Sequence, residues 1–208
     1  MPENTMINSS KKADKNLQLL NNGKFYCAHI LDVNHYNQVI SGFYIEKPTG
    51  QGLVKYLKKF SINDEYNNSM KTYLVFDINT NELVAYFSLK AGLVSVNEKR
   101  RFLSSSFDSL PGVEIANLSI NDRYKNKHPT YKNIAFIILY DFIVPIIERA
   151  SSYVGMNMIY IFALPYPKLI EYYKSMGFKR LKKPTERILH RRIRPRYDNG
   201  CVFMYMKI

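Results

Sequence analysis

The chain of 208 residues has no tryptophan and only two cysteines, Cys27 and Cys201. Two thiols cannot staple a disulfide framework, and neither stands at a metal-ligand spacing from any of the four histidines. Buried free thiols in a reducing compartment, and no metal, are expected. Long apolar runs are missing as well. The most apolar stretch, 134–147, is broken by Asp141 and Pro145 and is shorter than the roughly 20 residues of a bilayer span, so it reads as a core helix. Residues 1–24 are polar and rich in Asn and Lys, without the basic, apolar and small-residue succession of an export signal. They are expected to form a flexible tail ahead of a single domain over 25–208, in a cytoplasmic protein that engages no membrane.

Glycine is scarce, with 9 in the chain and none between Gly112 and Gly155. Neither a Walker loop nor a dinucleotide-binding fingerprint is present. Ser104, Ser105 and Ser106 lack the flanking glycines of a nucleophile elbow and an adjacent acid-base pair, which disfavours a serine hydrolase. Acidic residues are outnumbered 17 to 30 by Lys and Arg, giving a formal net charge of +13. Such a field favours nucleic acid, acidic lipid or a polyphosphate cofactor, but a surface merely solvated by lysine has the same charge.

What the chain does contain is a globular composition, 46 % hydrophobic with Tyr 17 and Phe 12. A strand is expected over 25–31. In 52–60, Leu53, Val54, Leu57 and Phe60 share a helical face that Lys55, Lys58 and Lys59 largely avoid. Runs 72–77 and 83–89, rich in β-branched and aromatic residues, predict an antiparallel hairpin, and 113–120 predicts a third strand after a loop that includes 104–106 and 108–112. A helix follows over 133–150, with a kink or local break at Pro145. The short apolar run 158–164 reads as a strand covered on both faces. Residues 167–176 form a helix that Pro167 opens and Gly177 stops, and 178–181 and 201–208 supply the last strands. Hairpin-linked strands before the long helix and a helical crossover after it predict an α+β fold, a mixed sheet with a central βαβ parallel pair.

Two segments, Val113-Glu114-Ile115-Ala116-Asn117-Leu118-Ser119-Ile120 and Tyr172-Tyr173-Lys174-Ser175-Met176-Gly177-Phe178, resemble the GNAT superfamily of N-acetyltransferases, and the order of elements agrees over roughly residues 70–208. The resemblance implies a mostly antiparallel mixed sheet whose parallel pair splays apart, helices on both faces, and acetyl-CoA as cosubstrate. Unpaired backbone between the splayed strands can take the peptide-like pantetheine arm as if it were an added strand. Leu118, Ser119 and Ile120 would line that opening, with Ala163 and Tyr166 on its far side. Donors at the start of the following helix would meet the pyrophosphate, from Lys125, Asn126, Lys127, His128, Lys132 and Asn133. The family's glycine-rich phosphate loop is altered here, and the charges of Lys125, Lys127, His128 and Lys132 stand where glycines are usual. A solvated loop and a degenerate site for coenzyme A remain open.

Acetyl transfer to an amine needs an uncharged nucleophile, stabilisation of an oxyanion and a proton for the leaving thiolate. The resemblance assigns the proton to Tyr173, against the alternative of a tyrosine that packs on the sheet. Glu114 would take the acceptor's proton, or else is an exposed strand-end carboxylate, and Asn117 would position a water or the acceptor. Strict alternation places Glu114, Ala116 and Leu118 on one face and Ile115, Asn117 and Ser119 on the other. None of His29, His35, His128 and His190 is preferred as a base.

Between 179 and 196, Lys179, Arg180, Lys182, Lys183, Arg187, Arg191, Arg192, Arg194 and Arg196 face only Glu186. The planar forks of arginine suit phosphate, so an RNA contact is a candidate. Some GNAT toxins acetylate aminoacyl-tRNA, and this chain is similar in the hairpin Val84-Ala85-Tyr86-Phe87-Ser88-Leu89 and the Tyr173 motif. The acceptor is accordingly a small-molecule, protein or aminoacyl-tRNA amine, and a homodimer is compatible. The alternative is a non-catalytic nucleic-acid-binding module on the same scaffold.

Overall fold

A computed structural model describes residues 20–101, 104–192 and 200–208, and the side chains of these other than 95–101, 104–109 and 191–192. Eight strands form one sheet in the order β1-β2-β3-β4-β5-β6-β8-β7. They are β1 Leu20–Asn21, β2 Phe25–His29, β3 Lys71–Asp77, β4 Leu83–Arg101, β5 Ser104–Ile120, β6 Met158–Ala163, β7 Lys179–Arg180 and β8 Val202–Lys207. All neighbours are antiparallel except β5 and β6, the pair joined by the helical crossover.

Helices cover both faces. On the crossover face, α4 (Asp122–Lys127), α5 (Ile134–Ile138), a π-helical turn Leu139–Ile143, α6 (Val144–Ser151) and α7 (Pro167–Ser175) follow in order. Their apolar side chains, among them Ile138, Phe142, Ile147 and Ile170, pack with Val75, Phe87, Ile115 and Ile161 of the sheet. On the opposite face, α1 (Tyr36–Ser41), α2 (Gln51–Lys59) and α3 (Ser61–Tyr66) cover one half, where Ile40, Tyr56 and Leu57 meet Leu74, Phe76 and Tyr86. The other half of that face is covered by α8 (Lys183–Arg192), through Leu189 against Val94, Met158, Tyr160 and Phe203.

The expected break at Pro145 takes the form of the π turn just ahead of it. Proline has no N–H for the Asp141 carbonyl, and its ring would strike that carbonyl, so the helix widens by one residue and continues.

Three sequence expectations are corrected. The segments 104–106 and 108–112 were expected to loop, but β4 runs on to Arg101 and pairs with β5 from Ser104 onward. Pro111 is tolerated within that strand because it pairs with Leu93 on one side and offers its carbonyl to Asn157 N–H, 3.1 Å away, on the other, so its missing donor is not needed. The basic connection after 181 contains α8. Strict alternation along β5 also fails: Ser88 faces Asn117 while Leu89 faces Ile115, so Ala116 is an inserted bulge residue. Past the bulge the faces exchange. Glu114, Asn117 and Ser119 share the opposite face, whereas Ile115, Leu118 and Ile120 pack on the crossover side.

Candidate active site

The central feature is where β5 and β6 part. Their parallel pairing consists of Gly112 with Met158, Val113 with Ile159 and Glu114 with Tyr160, and stops there. Beyond this rung β5 stays paired to β4 as far as Ile120, and β6 stays paired to β8 as far as Ala163. Each strand is held from its outer side while the inner edges are left open, which makes a wedge. Leu118, Ser119 and Ile120 lie on its β5 wall. Ala163 ends the β6 wall, buried and paired to Val202, and Tyr166, 51 % exposed, stands just before Pro167 opens α7.

The spacing of Tyr173 to Gly177 and Phe178 has a local cause. Gly177 takes φ +86, its N–H bonds the Lys174 carbonyl at 2.9 Å, and the Phe178 N–H bonds the Tyr173 carbonyl at 3.1 Å. These are the two crossed bonds of a Schellman cap, and its usual apolar contact is made by the Tyr173 and Phe178 rings, edge to face at 5.8 Å. Packing therefore accounts for the ring of Tyr173. It does not account for the hydroxyl, which makes no hydrogen bond among the described residues. Burial, with a smaller contribution from Tyr172, pushes the Tyr173 phenol up to about 12, so it holds its proton at any physiological pH. The neighbouring Tyr172 differs. It packs on the same crossover cluster, and burial raises its phenol against an opposing influence of the Phe136 backbone.

Glu114 occupies the last rung, across from Lys90 on β4 and Tyr160 on β6. It is half-buried. Burial raises its carboxyl above the ordinary range, against the opposing influence of the Lys90 charge and the Tyr160 hydroxyl. Burial and that carboxylate together also raise the Tyr160 phenol. Tyr160 can lie across the sheet only because Gly92, the cross-strand partner of Gly112, has no side chain, while a Cβ on Gly112 would instead crowd Met158. A Cβ on Gly92 would stand 1.8 Å from the Tyr160 hydroxyl oxygen. Tyr160, Lys90 and this glycine pair were missed in the sequence reading; the one available signal was a single hydroxyl within the otherwise apolar run Met158–Ala163.

The stretch expected to meet phosphate divides into two parts. Asn121 caps α4 by accepting from Arg123 N–H at 3.3 Å. Lys127 is ion-paired to Glu82 and His128 Nε2 lies 2.9 Å from the same carboxylate, with the His128 ring stacked on Tyr131 at 5.7 Å. These two groups tie α4 to the β3–β4 turn. Lys125, Asn126, Lys132 and Asn133 are exposed. Asn133 adopts a left-handed φ of 59 at the start of α5, and the first helical bond runs from Ile137 N–H to its carbonyl. The N–H groups of Ile134, Ala135 and Phe136 thus precede the helical ladder, at the end that favours an anion, and Phe136 meets Tyr172. Asn117 and Ser119 are buried on the opposite face.

Solved structures of similar architecture identify the fold. A tyrosine-to-phenylalanine mutant of KacT superposes with a TM-score of 0.60 at 15 % identity, covering 88 % of this chain and 95 % of that one. AtaT complexed with acetyl-methionyl-tRNAfMet gives 0.61 at 14 %, covering 88 % and 94 %. A tyrosine-to-phenylalanine mutant of the AtaT toxin, bound to the C-terminus of the antitoxin AtaR and acetyl-CoA, gives 0.56 at 14 %, covering 88 % and 93 %. This chain has the GNAT fold. No protein-family model and no curated protein matches the sequence. Within the GNAT fold the parallel pair diverges as the sequence resemblance implied. Among the described residues no helix is long and apolar enough to cross a membrane.

At the far end of the sheet Lys182, just ahead of α8, and Lys183 and Arg187 within it are exposed to solvent. An open basin of about 480 Å³ is lined by Arg180, Lys183, Glu186, Arg187 and His190. Arg180 grips the buried Glu186 through two bonds of 2.9 and 2.6 Å, and His190 Nε2 accepts from Phe203 N–H at 3.2 Å, pinning α8 to β8. Arg194 and Arg196 lie outside the described residues.

Proposed function

We propose that the chain is an N-acetyltransferase that moves an acetyl group from acetyl-CoA to an acceptor amine by direct attack. The observation that carries this reading is the open wedge beyond the Glu114–Tyr160 rung, with a phenol on the helix that follows β6 whose hydroxyl makes no hydrogen bond among the described residues. Free backbone along 115–120 suits an amide-containing arm, and the N–H groups at the start of α5 suit its phosphates. In this scheme Glu114 takes the proton from the acceptor amine, directly or through water. Its raised carboxyl suits a base that must release that proton again. A backbone N–H of Leu118 or Ser119 meets the oxyanion. Tyr173 gives its proton to the departing thiolate. A phenol near 12 would be a reluctant donor to a solvated thiol of about 8.5. Burial raises thiols too, as it does for Cys27 in this molecule, so within the wedge donor and thiolate move up together.

The acceptor would approach from the face that carries Glu114. The basic helix α8 packs on that face, which supports a polyanionic acceptor, and an aminoacyl-tRNA satisfies both the amine and the charge. Calorimetric titration with acetyl-CoA, followed by thiol release against an amine panel and aminoacylated tRNA, tests the proposal. Saturable binding and release support it. One observation favours a second reading: the exposed cations of α8 need no acetyl-CoA to bind RNA. A non-catalytic nucleic-acid-binding module would show steeply salt-dependent RNA binding and no thiol release.

A further inference from the structure

Among the described residues, one buried side-chain polar atom has no hydrogen-bond partner, the Nδ2 of Asn117. The residue is 6 % exposed. Native interiors seldom leave an amide donor unpaired, so such a group calls for an occupant. Its surroundings narrow the choice. Asn117 lies three residues past Glu114 on β5, beyond the last rung with β6, so the adjoining strand edge borders the wedge. Its cross-strand neighbour is Ser88, whose hydroxyl is already paired with Thr72 at 3.0 Å. Ala116 beside it packs into the apolar cluster under α2. The sheet therefore offers the amide no partner of its own.

The bulge at Ala116 decides which reactant can supply one. Without it, Asn117 would face the crossover side, with Tyr173 and the start of α5. With it, Asn117 joins Glu114 on the opposite face. On the reading proposed above, the thioester tail belongs with Tyr173 and α5, and the amine belongs with Glu114. An N–H donor beside the base faces an oxygen carried next to the amine.

We infer that Asn117 Nδ2 donates to the carbonyl oxygen of an α-aminoacyl acceptor while Glu114 faces its amine, so that Asn117 selects amines flanked by a carbonyl over plain alkyl amines. This inference rests on the acetyltransferase reading.

The test uses the full chain, acetyl-CoA and three acceptor types: α-amino acid amides, the matching amines without the carbonyl, and aminoacylated total tRNA. The wild type is expected to acetylate carbonyl-bearing acceptors in preference to the matched amines. Asn117→Ala and Asn117→Asp should raise KM for them at least about tenfold, the value of one lost hydrogen bond, with a smaller change in kcat. Asn117→Leu, which replaces an unpaired donor by an apolar group of similar volume, should melt no lower than the wild type. The inference is overturned if the carbonyl-free amines serve equally well, if KM stays within about twofold in both variants, or if Asn117→Leu lowers Tm. A wild type that binds acetyl-CoA but acetylates none of the three overturns it too. Failure to bind acetyl-CoA at all would end the underlying acetyltransferase reading, and this inference with it.

Discussion

Glu114 and Tyr160 form the last rung between β5 and β6, where burial pushes the Glu114 carboxyl up and the Lys90 charge and the Tyr160 hydroxyl oppose that push. If Glu114 is the base of the proposed scheme, these two groups bear on the pH at which it works, because both favour the ionised carboxylate. Burial already raises the carboxyl, and a base acts only once ionised, so kcat/KM should climb with pH through a limb above the ordinary carboxylate range. Tyr160→Phe removes the opposing hydroxyl and should move this limb to higher pH. Lys90→Met, which removes the other opposing influence, should move it the same way. A pH–rate profile for each variant is the check, and a downward movement would show that Glu114 is not the titrating base.

The glycine pair beneath Tyr160 predicts a steric effect. In Gly92→Ala the new methyl would stand 1.8 Å from the Tyr160 hydroxyl oxygen, so the ring must swing off Glu114. Overpacking of this kind costs about 1–3 kcal/mol. Thermal melting should show the loss, and the pH limb should move upward as in Tyr160→Phe.

Far from the wedge, Glu65 is 2 % exposed. Burial works to raise its carboxyl, but bonds from His29 at 3.0 Å, the Thr72 N–H and Lys71 at 3.2 Å outweigh burial and hold it below its ordinary value. A lowered folded pKa gives stability that is present above the unfolded value and lost as pH falls through the folded one. Glu65→Gln should therefore cost about 1–3 kcal/mol near neutral pH. The gap from the wild type should shrink as melting is repeated at progressively more acid pH, below the ordinary glutamate value of 4.5.

If RNA docks on α8, reversing Lys182, Lys183 and Arg187 to Glu should weaken tRNA binding and flatten its dependence on salt, while acetyl-CoA affinity stays within about twofold. Each phosphate that the variant no longer neutralises lowers the slope of log affinity against log salt by about 1. Equal salt slopes for variant and wild type would move the RNA contact elsewhere.

Much of the fold was legible in residue patterns. The strand at 72–77 is β3, extended by Lys71, and 158–164 is β6 short of Leu164, because runs of β-branched and aromatic residues and wholly apolar runs of that length have few other uses. The Tyr173-to-Phe178 spacing was legible because a helix stop and a packed pair depend on the same four intervening residues. What failed was long-range. A bulge at Ala116 is set by the register against β4, so it reassigned the face of Asn117 with no local mark in 113–120. The extension of β4 and β5 past 91 and 111 likewise depends on cross-strand pairing, which overrides the turn chemistry of Asp108-Ser109-Leu110-Pro111-Gly112. The tie of Lys127 and His128 to Glu82 joins residues some 45 positions apart, beyond the reach of spacing rules.

The most direct test of the account compares wild type with Tyr173→Phe in acetyl-CoA calorimetry and thiol release. The ring contact with Phe178 survives the change, so Tm should hold. Acetyl-CoA should bind both proteins saturably, while kcat falls roughly 10²–10⁴-fold, the span of a lost general acid. No binding to the wild type, or full turnover by Tyr173→Phe, would contradict it.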